Sequence, residues 1–234
     1  MAIRDLFQIG PRIAGQVLGV PFSQYRANGT NNPTAAGNLL RSMPAWVTVD
    51  QAGRGGTAPL PGKPFRYAML DQSLVAVGDY LIGADGTTFF ITYIGAAEPT
   101  QVVLCNKTVS LYRPGSAAAG SDFYGGASPA TLQPLMAAWP ASVLQGTKGE
   151  VGEVKLPGDT RMPWASILLP ATAGVQLIPG DWLITADTWQ VQYTLSSCEL
   201  TAQGWRLTAS LAASFGGEGA SLDFTNVTNS GLVP

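Results

Sequence analysis

The stretch Gly180-Asp-Trp-Leu-Ile-Thr-Ala-Asp187 has a second copy in the chain, since residues 78–85 read Gly-Asp-Tyr-Leu-Ile-Gly-Ala-Asp. In both copies an apolar run precedes the Gly-Asp pair, and an aromatic-Leu-Ile segment follows it. A segment rich in Thr, aromatic and β-branched residues comes after the second Asp. This order is typical of strand, tight turn and strand. Used twice, it predicts a mainly β protein with two small β-barrel or sandwich-like modules.

The residues at the start of each copy, Gly78 with Asp79 and Gly180 with Asp181, are predicted to be structural turn residues. An Asp that follows Gly at the entrance of a strand accepts hydrogen bonds from backbone amides of its own turn. A calcium loop would need several more oxygen ligands at close spacing, and neither copy has them. The pattern therefore indicates two turns and no metal site.

The composition favours a subunit of an assembly. Charged residues make up 12% of the 234 residues, while apolar residues make up 46%. A usual charged share is about 25%. A chain whose surface is covered by other protein needs few solubilising charges. The alternative is a turn-rich all-β monomer, which the 28 Gly and 17 Pro would also suit.

The charges are divided unevenly along the chain. Residues 1–66 carry seven basic and two acidic groups, whereas residues 67–234 carry six basic and thirteen acidic groups. A basic N-terminal arm is therefore predicted to contact the acidic body of a neighbouring copy. Phosphate binding is the rival interpretation, but no basic cluster interleaved with aromatic residues supports it. The arginines proposed for this subunit-contact arm are Arg4, Arg12, Arg26, Arg41 and Arg54.

The predicted organisation has five parts. An apolar pattern near helical spacing predicts one helix over residues 2–19, or two short ones that meet at Pro11, and the loop-like stretch after it predicts a long extended arm. A segment with mixed apolar residues and two prolines predicts a short helix at 132–144. Hairpin turns are predicted at Asp85-Gly86 and around Gln203-Gly204, and the alternation over residues 101–112 predicts one strand. The parts are a helix and arm (1–64), a first β-module (65–114), a linker with a short helix and a Gly-rich loop (115–162), a second β-module (163–212) and a C-terminal tail (213–234).

Catalytic residues, cofactors and metals are not predicted. The chain has no histidine, which excludes the Ser-His-Asp and Cys-His arrangements and histidine-ligated zinc. Glu150, Glu153 and Asp159 are the carboxylates that a cell-wall hydrolase would use, but a Gly-rich loop favours solvated side chains. The tryptophans admit a carbohydrate-binding module as a further alternative, although their strand settings favour core or interface positions.

Neither cysteine fits a Cys-x-x-Cys pattern, so Cys105 and Cys198 are expected to be buried free thiols, with a disulfide between them left open. No basic-then-apolar leader pattern and no apolar run of membrane-spanning length occurs. We therefore expect no membrane contact and assembly in a cytoplasmic compartment. The net charge of −2 argues against general binding of nucleic acid.

Several motifs resemble a group of proteins encoded among the tail and baseplate genes of contractile-tailed bacteriophages. Together they cover most of residues 1–212. They are Val20-Pro-Phe-Ser-Gln-Tyr-Arg26, Asp85-Gly-Thr-Thr-Phe-Phe-Ile91, Cys105-Asn-Lys-Thr-Val-Ser-Leu-Tyr-Arg-Pro114, Trp139-Pro-Ala-Ser-Val-Leu-Gln-Gly-Thr-Lys-Gly149 and Lys155-Leu-Pro-Gly-Asp159.

The resemblance implies a structural protein of the virion tail, assembled in the cytoplasm of the bacterial host. It implies a place in the baseplate, at the hub or the tube–baseplate junction, and a ring of identical copies, as a trimer or hexamer, in contact with neighbouring tail and baseplate proteins. A head–tail connector or neck subunit is the alternative. The resemblance carries no catalytic residue to this chain.

Overall fold

The structure, a computed structural model, describes residues 3–49, 63–95, 98–115, 132–146, 164–172, 174–186 and 190–215. Within these ranges the side chains of residues 3–8 and 213–215 are left out. One α-helix, two 3₁₀ helices and twelve strands are described, and the strands form two sheets. The prediction of a mainly β protein with two modules and a short N-terminal helix is confirmed.

Helix α1 (Ile3–Leu18) precedes a closed six-stranded barrel in which all neighbouring strands are antiparallel. Around the barrel the strands follow the order β1-β2-β3-β6-β5-β4. Two 3₁₀ helices, Ala36–Asn38 and Gln72–Leu74, lie in the connections. The strands are β1 (Val20–Tyr25), β2 (Leu39–Thr48), β3 (Phe65–Met69), β4 (Tyr80–Gly83), β5 (Thr88–Tyr93) and β6 (Thr100–Cys105).

A second closed antiparallel barrel follows, and its order is β7-β8-β9-β12-β11-β10. Each strand therefore occupies the place of the strand six positions earlier in the chain, so the duplication seen in the Gly-Asp stretches extends to the topology. The strands are β7 (Lys107–Pro114), β8 (Leu132–Gln145), β9 (Trp164–Leu169), β10 (Trp182–Thr185), β11 (Gln190–Thr201) and β12 (Gly204–Phe215).

The extended arm predicted between the helix and residue 64 is wrong where β1 and β2 lie, because both are strands of the first barrel. Both strands contain a proline, and for that reason the sequence did not indicate strands there. Pro21 and Pro44 lie opposite each other, and neither is paired with a strand on its other side. Proline is tolerated at such positions because no ladder on that side needs its missing N–H. Residues 50–62 of the predicted arm lie outside the described residues.

The predicted boundary after residue 114 is also wrong. A single strand was expected over residues 101–112, but β6 closes the first barrel and β7 opens the second. The chain crosses between them at Asn106. Its amide Nδ2 donates to the carbonyl of Val143 at 2.8 Å, and its Oδ1 accepts from the Val143 amide at 2.8 Å. This side chain therefore satisfies the backbone of β8 where the strand pair would otherwise continue.

The short helix predicted over residues 132–144 is instead strand β8, so the second module begins at residue 107 and not at residue 163. Pro134 and Pro140 suggested a broken helix. Both lie in the part of β8 that pairs with β7 alone, because β9 pairs only with residues 142–145. Two predicted hairpins are confirmed: β4–β5 turns at Asp85-Gly86, and β11–β12 turns just before Gly204.

The two barrels share one hydrophobic cluster. Tyr80 of the first barrel packs its ring edge against Trp139 of the second, with centroids 6.2 Å apart, and its hydroxyl donates to the Pro140 carbonyl at 2.8 Å. The Thr30 carbonyl, in the β1–β2 connection, accepts from Trp139 Nε1 at 2.8 Å and from the Ala137 amide at 3.0 Å. Apolar burial and these directed bonds together fix the contact between the barrels.

Helix α1 is continuous through Pro11, which resolves the alternative of two short helices. It ends where the Gly19 amide donates to the Gly15 carbonyl at 3.0 Å. The helix lies against the first barrel at Gly15, where a Cβ would come within 2.6 Å of the Met69 carbonyl oxygen. A side chain there would push the helix off β3, so Gly15 permits the close approach.

The two helix glycines make a matched pair of variants. At Gly10 a Cβ would meet nothing within 4 Å, so Gly10→Ala should stabilise the protein by about 0.5–1 kcal/mol through helix propensity. Gly15→Ala should instead destabilise it by about 1–3 kcal/mol, because the added methyl meets backbone. Urea unfolding followed by circular dichroism measures both changes. Equal stabilisation by the two variants would contradict the packing of α1 on β3.

Candidate functional site

Each of the two Gly-Asp turns lies directly before a strand, β4 in the first barrel and β10 in the second. Gly78 and Gly180 have φ angles of 91° and 95°, in the left-handed region that glycine adopts without strain. The following Asp is 1% exposed in both copies. In the first barrel the Gly78 amide donates to the Ile91 carbonyl at 2.8 Å, and the Ile91 amide donates to the Asp79 carbonyl at 2.9 Å. Gly180, Asp181 and Leu195 repeat these two bonds at 2.8 and 2.9 Å.

Asp79 gathers four hydrogen bonds from three parts of the first barrel. Its Oδ2 accepts from the Ala76 amide of its own turn at 2.8 Å and from Gln24 Nε2 at 2.7 Å. Arg26 binds in a bidentate manner, with Nε 2.7 Å from Oδ1 and Nη2 2.8 Å from Oδ2. Gln24 lies in β1 and Arg26 follows it directly. The carboxylate therefore ties the end of β1 to the turn before β4.

Asp181 makes the equivalent contacts in the second barrel. Its Oδ2 accepts from the Ile178 amide at 2.9 Å, and Arg113 binds with Nε and Nη2 each 2.9 Å from a carboxylate oxygen. Arg113 Nη2 also donates to the Gln176 carbonyl at 2.8 Å. The hydrogen bond with the aspartate is the largest cause that raises the pKa of Arg26, and likewise that of Arg113. Both arginines therefore hold their charge, as charge-assisted bidentate pairs require.

A sequence signal for the arginine partners was present and was missed. Each arginine ends a Ser-x-Tyr-Arg stretch: residues 23–26 read Ser-Gln-Tyr-Arg and residues 110–113 read Ser-Leu-Tyr-Arg. The one variable position decides a contact. Gln24 donates to Asp79, whereas Leu111 occupies the corresponding place in β7 and is fully buried in the hydrophobic cluster. The repeat therefore comprises a Ser-x-Tyr-Arg strand end and a Gly-Asp turn in each barrel.

This difference predicts unequal costs for removing the two arginines. Arg26→Ala leaves Asp79 with bonds from Gln24 and the Ala76 amide, whereas Arg113→Ala leaves Asp181 with the Ile178 amide. A buried carboxylate with fewer donors is costlier. We expect a loss of unfolding free energy of about 2 kcal/mol for Arg26→Ala and about 3 kcal/mol for Arg113→Ala.

Urea unfolding of both variants beside the wild type measures this difference. Arg41→Ala is the matched control, because Arg41 is exposed in β2. A loss for Arg26→Ala that equals or exceeds that for Arg113→Ala would show that the Gln24 contact does not matter.

The five arginines proposed for a subunit-contact arm do not form one surface. Arg26 is bound to Asp79, and Arg12 forms an ion pair with Asp71 of its own barrel at 3.2 Å. Arg41 lies in β2 and is exposed. Within α1 the side chain of Arg4 is outside the described part, and Arg54 lies outside the described residues. The prediction fails for Arg26 because β1 is a barrel strand and delivers it to the turn.

Helix α1 carries the most exposed apolar surface that the described residues show. Ile9, Ile13 and Val17 are 37%, 52% and 74% exposed, and their spacing of four residues places them on one face. We call these three residues the α1 ridge. Leu18 and Val20, both also exposed, continue it toward the first barrel. An amphipathic helix that turns its apolar side to solvent is a candidate contact surface for other protein.

The structure also has two cavities, one beside this surface and one between the barrels. One, of about 530 Å³, opens at an end of the first barrel and is lined by Leu18, Val20, Phe22, Trp46, Arg66 and Phe89 among others. We call it the barrel-mouth groove. The other, of about 450 Å³, lies between the barrels and has Phe65, Phe90 and Trp205 in its wall. The indole Nε1 of Trp205 is buried there and has no hydrogen-bond partner among the described residues.

The tryptophans do not form an exposed platform in the part of the chain that the structure describes. Trp139 and Trp205 are buried, and Trp46, Trp164 and Trp182 are half-buried. Trp189 lies outside the described residues. This supports core and interface roles and gives no stacking surface for a sugar.

The two cysteines are free and half-buried, so the alternative of a disulfide between them does not apply. Burial raises the pKa of both thiols, that of Cys198 to about 11. The thiolate is the reactive form, so its fraction at pH 8 falls as the pKa rises.

The thiols should therefore react slowly in the folded protein. At pH 8 iodoacetamide should label Cys198 at least about tenfold more slowly than in urea-unfolded protein, and the rate should keep rising up to about pH 11. Peptide mass spectrometry of timed samples measures labelling at each cysteine. A labelling rate that levels off near pH 9 in the folded protein would contradict the raised pKa.

The other functional classes to compare with the described ranges are metal binding, hydrolysis and membrane insertion. No group of three or more His, Cys, Asp or Glu side chains there is arranged to hold a metal ion. The carboxylates considered for hydrolysis, Glu150, Glu153 and Asp159, lie outside those ranges. Among the helices described, none has the length and apolar character needed to cross a membrane.

Comparisons with protein-family models, with curated proteins and with solved structures find no match to this chain.

Proposed function

We propose that this chain is a structural subunit of a contractile phage tail. Its place is the baseplate, at the hub or the tube–baseplate junction, and it works by assembling into a ring with copies of itself. The observation that carries the proposal is the α1 ridge, an apolar surface exposed on a helix that packs against its own barrel on its other side. The motifs that resemble tail and baseplate proteins support the particular setting.

The ridge has the geometry of a helix-packing surface. Side chains at intervals of four residues form a row that fits between the corresponding rows of another helix. The ridge residue furthest along α1, Val17, is 74% exposed and adjoins Leu18 and Val20, so apolar surface continues from the helix to the barrel. Exposed contiguous apolar surface of this kind marks sites of protein association.

The charges near the ridge favour association between copies. Arg12, on the same helix, is paired with Asp71 of its own barrel, so it adds little net charge to the helix surface. The whole chain has a charged share of only 12%. A second copy can therefore pack against the ridge without strong repulsion.

A partner can contact the two barrels through side chains, and not by adding a strand to a sheet. In both, every strand has two neighbours, so neither sheet offers a long open edge in the described ranges. Addition of a strand from a partner needs such an edge. Association through the ridge and the nearby apolar surface remains available.

Replacement of the ridge should weaken self-association. For the double variant Ile13→Gln, Val17→Gln we expect a self-association constant at least about tenfold weaker than that of the wild type, because two exposed apolar side chains no longer become buried. Light scattering over a range of concentrations measures it. Circular dichroism should be unchanged, since neither side chain is buried in the barrel.

The control is Leu200→Gln, which alters an exposed apolar residue, 58% exposed, in β11 of the second barrel. It should assemble as the wild type does. If the double variant also assembles as the wild type, the ridge is not the contact surface.

The place in the particle needs a separate experiment. Tails, necks and heads would be separated from phage particles made by a host that carries this gene, and the protein would be located by mass spectrometry. We expect it in the baseplate fraction, and we expect particles with incomplete tails when the gene is deleted. Recovery with the neck would favour a head–tail connector subunit, and complete particles without the protein would exclude a structural role.

A further inference from the structure

The barrel-mouth groove contains a cation, Arg66, that has no acidic partner in the described part of the chain. Arg66 is 8% exposed and lines this groove together with apolar side chains such as Phe22 and Phe89. Its Nη1 donates to the carbonyl oxygens of Lys63 and Phe65 at 2.6 and 2.7 Å. Among the described residues no carboxylate pairs with it.

This arrangement favours an anionic occupant. Burial lowers the pKa of Arg66, which is the mark of a cation that has lost water without gaining a countercharge. A buried charge without a partner is costly, and a carboxylate that enters the groove would relieve that cost. Asp85 at the rim is not the partner of Arg66, since its two carboxylate oxygens accept from the amide and hydroxyl of Thr87.

The sequence after β12 has the complementary chemistry. Residues 216–234 contain two acidic residues, Glu218 and Asp223, and no lysine or arginine. Asp223 stands between Leu222 and Phe224. A carboxylate with apolar neighbours on both sides matches a groove in which one arginine lies among aromatic and aliphatic side chains.

The chain after β12 is long enough to reach a groove on another copy. Gly204, where β12 begins, lines the cavity between the barrels, and so does Phe65, the neighbour of Arg66 in the chain. Phe215 is eleven residues further along the strand, about 36 Å at the usual rise per residue. Asp223 follows eight residues later and reaches back about 27 Å at most. The proposed ring would bring the groove of a second copy within the reach of such a segment.

We infer that the segment 216–234 of one copy docks in the barrel-mouth groove of a second copy, with Asp223 paired to Arg66. The contact is head-to-tail, because the segment leaves the second barrel and the groove belongs to the first. Such a contact repeats around a ring if the rotation closes. The inference rests on the proposed ring assembly and names a contact that would hold it together.

The α1 ridge and the groove form one apolar region, since Leu18 and Val20 belong to the groove wall and adjoin Val17. A neighbouring copy that docks its C-terminal segment in the groove would therefore also lie close to the ridge. Two weak contacts on the same neighbour reinforce each other, because the second forms within a complex already made.

The test uses the full chain and two matched pairs of variants. Asp223→Asn and Arg66→Gln each remove one charge of the inferred pair, whereas Glu218→Gln and Arg41→Gln remove a charge of the same sign elsewhere. Light scattering over a range of concentrations gives the self-association constant. We expect Asp223→Asn and Arg66→Gln to weaken it at least about tenfold and the two controls to change it less than about threefold.

The outcomes separate this inference from the proposed function. A wild type that assembles, with Asp223→Asn also assembling fully, overturns the docked segment and leaves ring assembly standing. A wild type that stays monomeric at all concentrations overturns both. Arg66→Gln removes a buried side chain, so Asp223→Asn decides the result if that variant fails to fold.

A crosslink identifies which copy supplies the segment. Ala84 is exposed at the groove, so the double variant Ala84→Cys, Ser221→Cys places one thiol at the groove and one beside the acidic residue. Oxidation should give a ladder of covalent oligomers on a non-reducing gel. A monomer with an internal disulfide would show that the segment folds back on its own groove, and no crosslink at all would show that it docks elsewhere.

Discussion

One buried carboxylate in each barrel carries the constraint on which the rest of the structure depends. Asp79 and Asp181 each satisfy an amide of their own turn and clamp the arginine at the end of the strand that opens the barrel. A buried carboxylate is tolerated only with such donors. The pair therefore holds the first strand of each barrel beside the fourth, which is the pairing that closes the sheet.

The two barrels share one architecture and differ in individual contacts. The clamp, the left-handed glycine and the strand order are the same, while Gln24 in the first barrel is replaced by Leu111 in the second. The second barrel thereby exchanges a polar contact to its aspartate for apolar burial in the cluster that both barrels share. Asn106 and the Thr30 carbonyl join the barrels at the points where neither sheet continues.

The sequence was informative where the structure is local. The Gly-Asp turns, the Asp85-Gly86 hairpin and the N-terminal helix rest on residues near one another in the chain, and each was predicted. Strands β1, β2 and β8 pair across long separations and contain prolines, so nothing local distinguishes them from loops. Arg26 was assigned to an arm for the same reason: the closure that brings it to Asp79 is non-local. The Ser-x-Tyr-Arg repeat was the available signal.

The outer surface gives the fold its proposed use. Every described strand has a neighbour on both sides, so the barrels offer side-chain surfaces for association. The features that we propose for this role are the apolar α1 ridge, the groove beside it and Arg66, which has no acidic partner among the described residues. A chain with few charges and such a region is suited to burial between copies. We therefore propose that the protein acts as an assembly of identical copies.

The most direct test is the mass of the wild-type protein in solution, measured by light scattering from nanomolar to high micromolar concentration. The account predicts a discrete oligomer, a trimer or a hexamer, that dissociates on dilution. A compact monomer of 24.4 kDa at every concentration would contradict it.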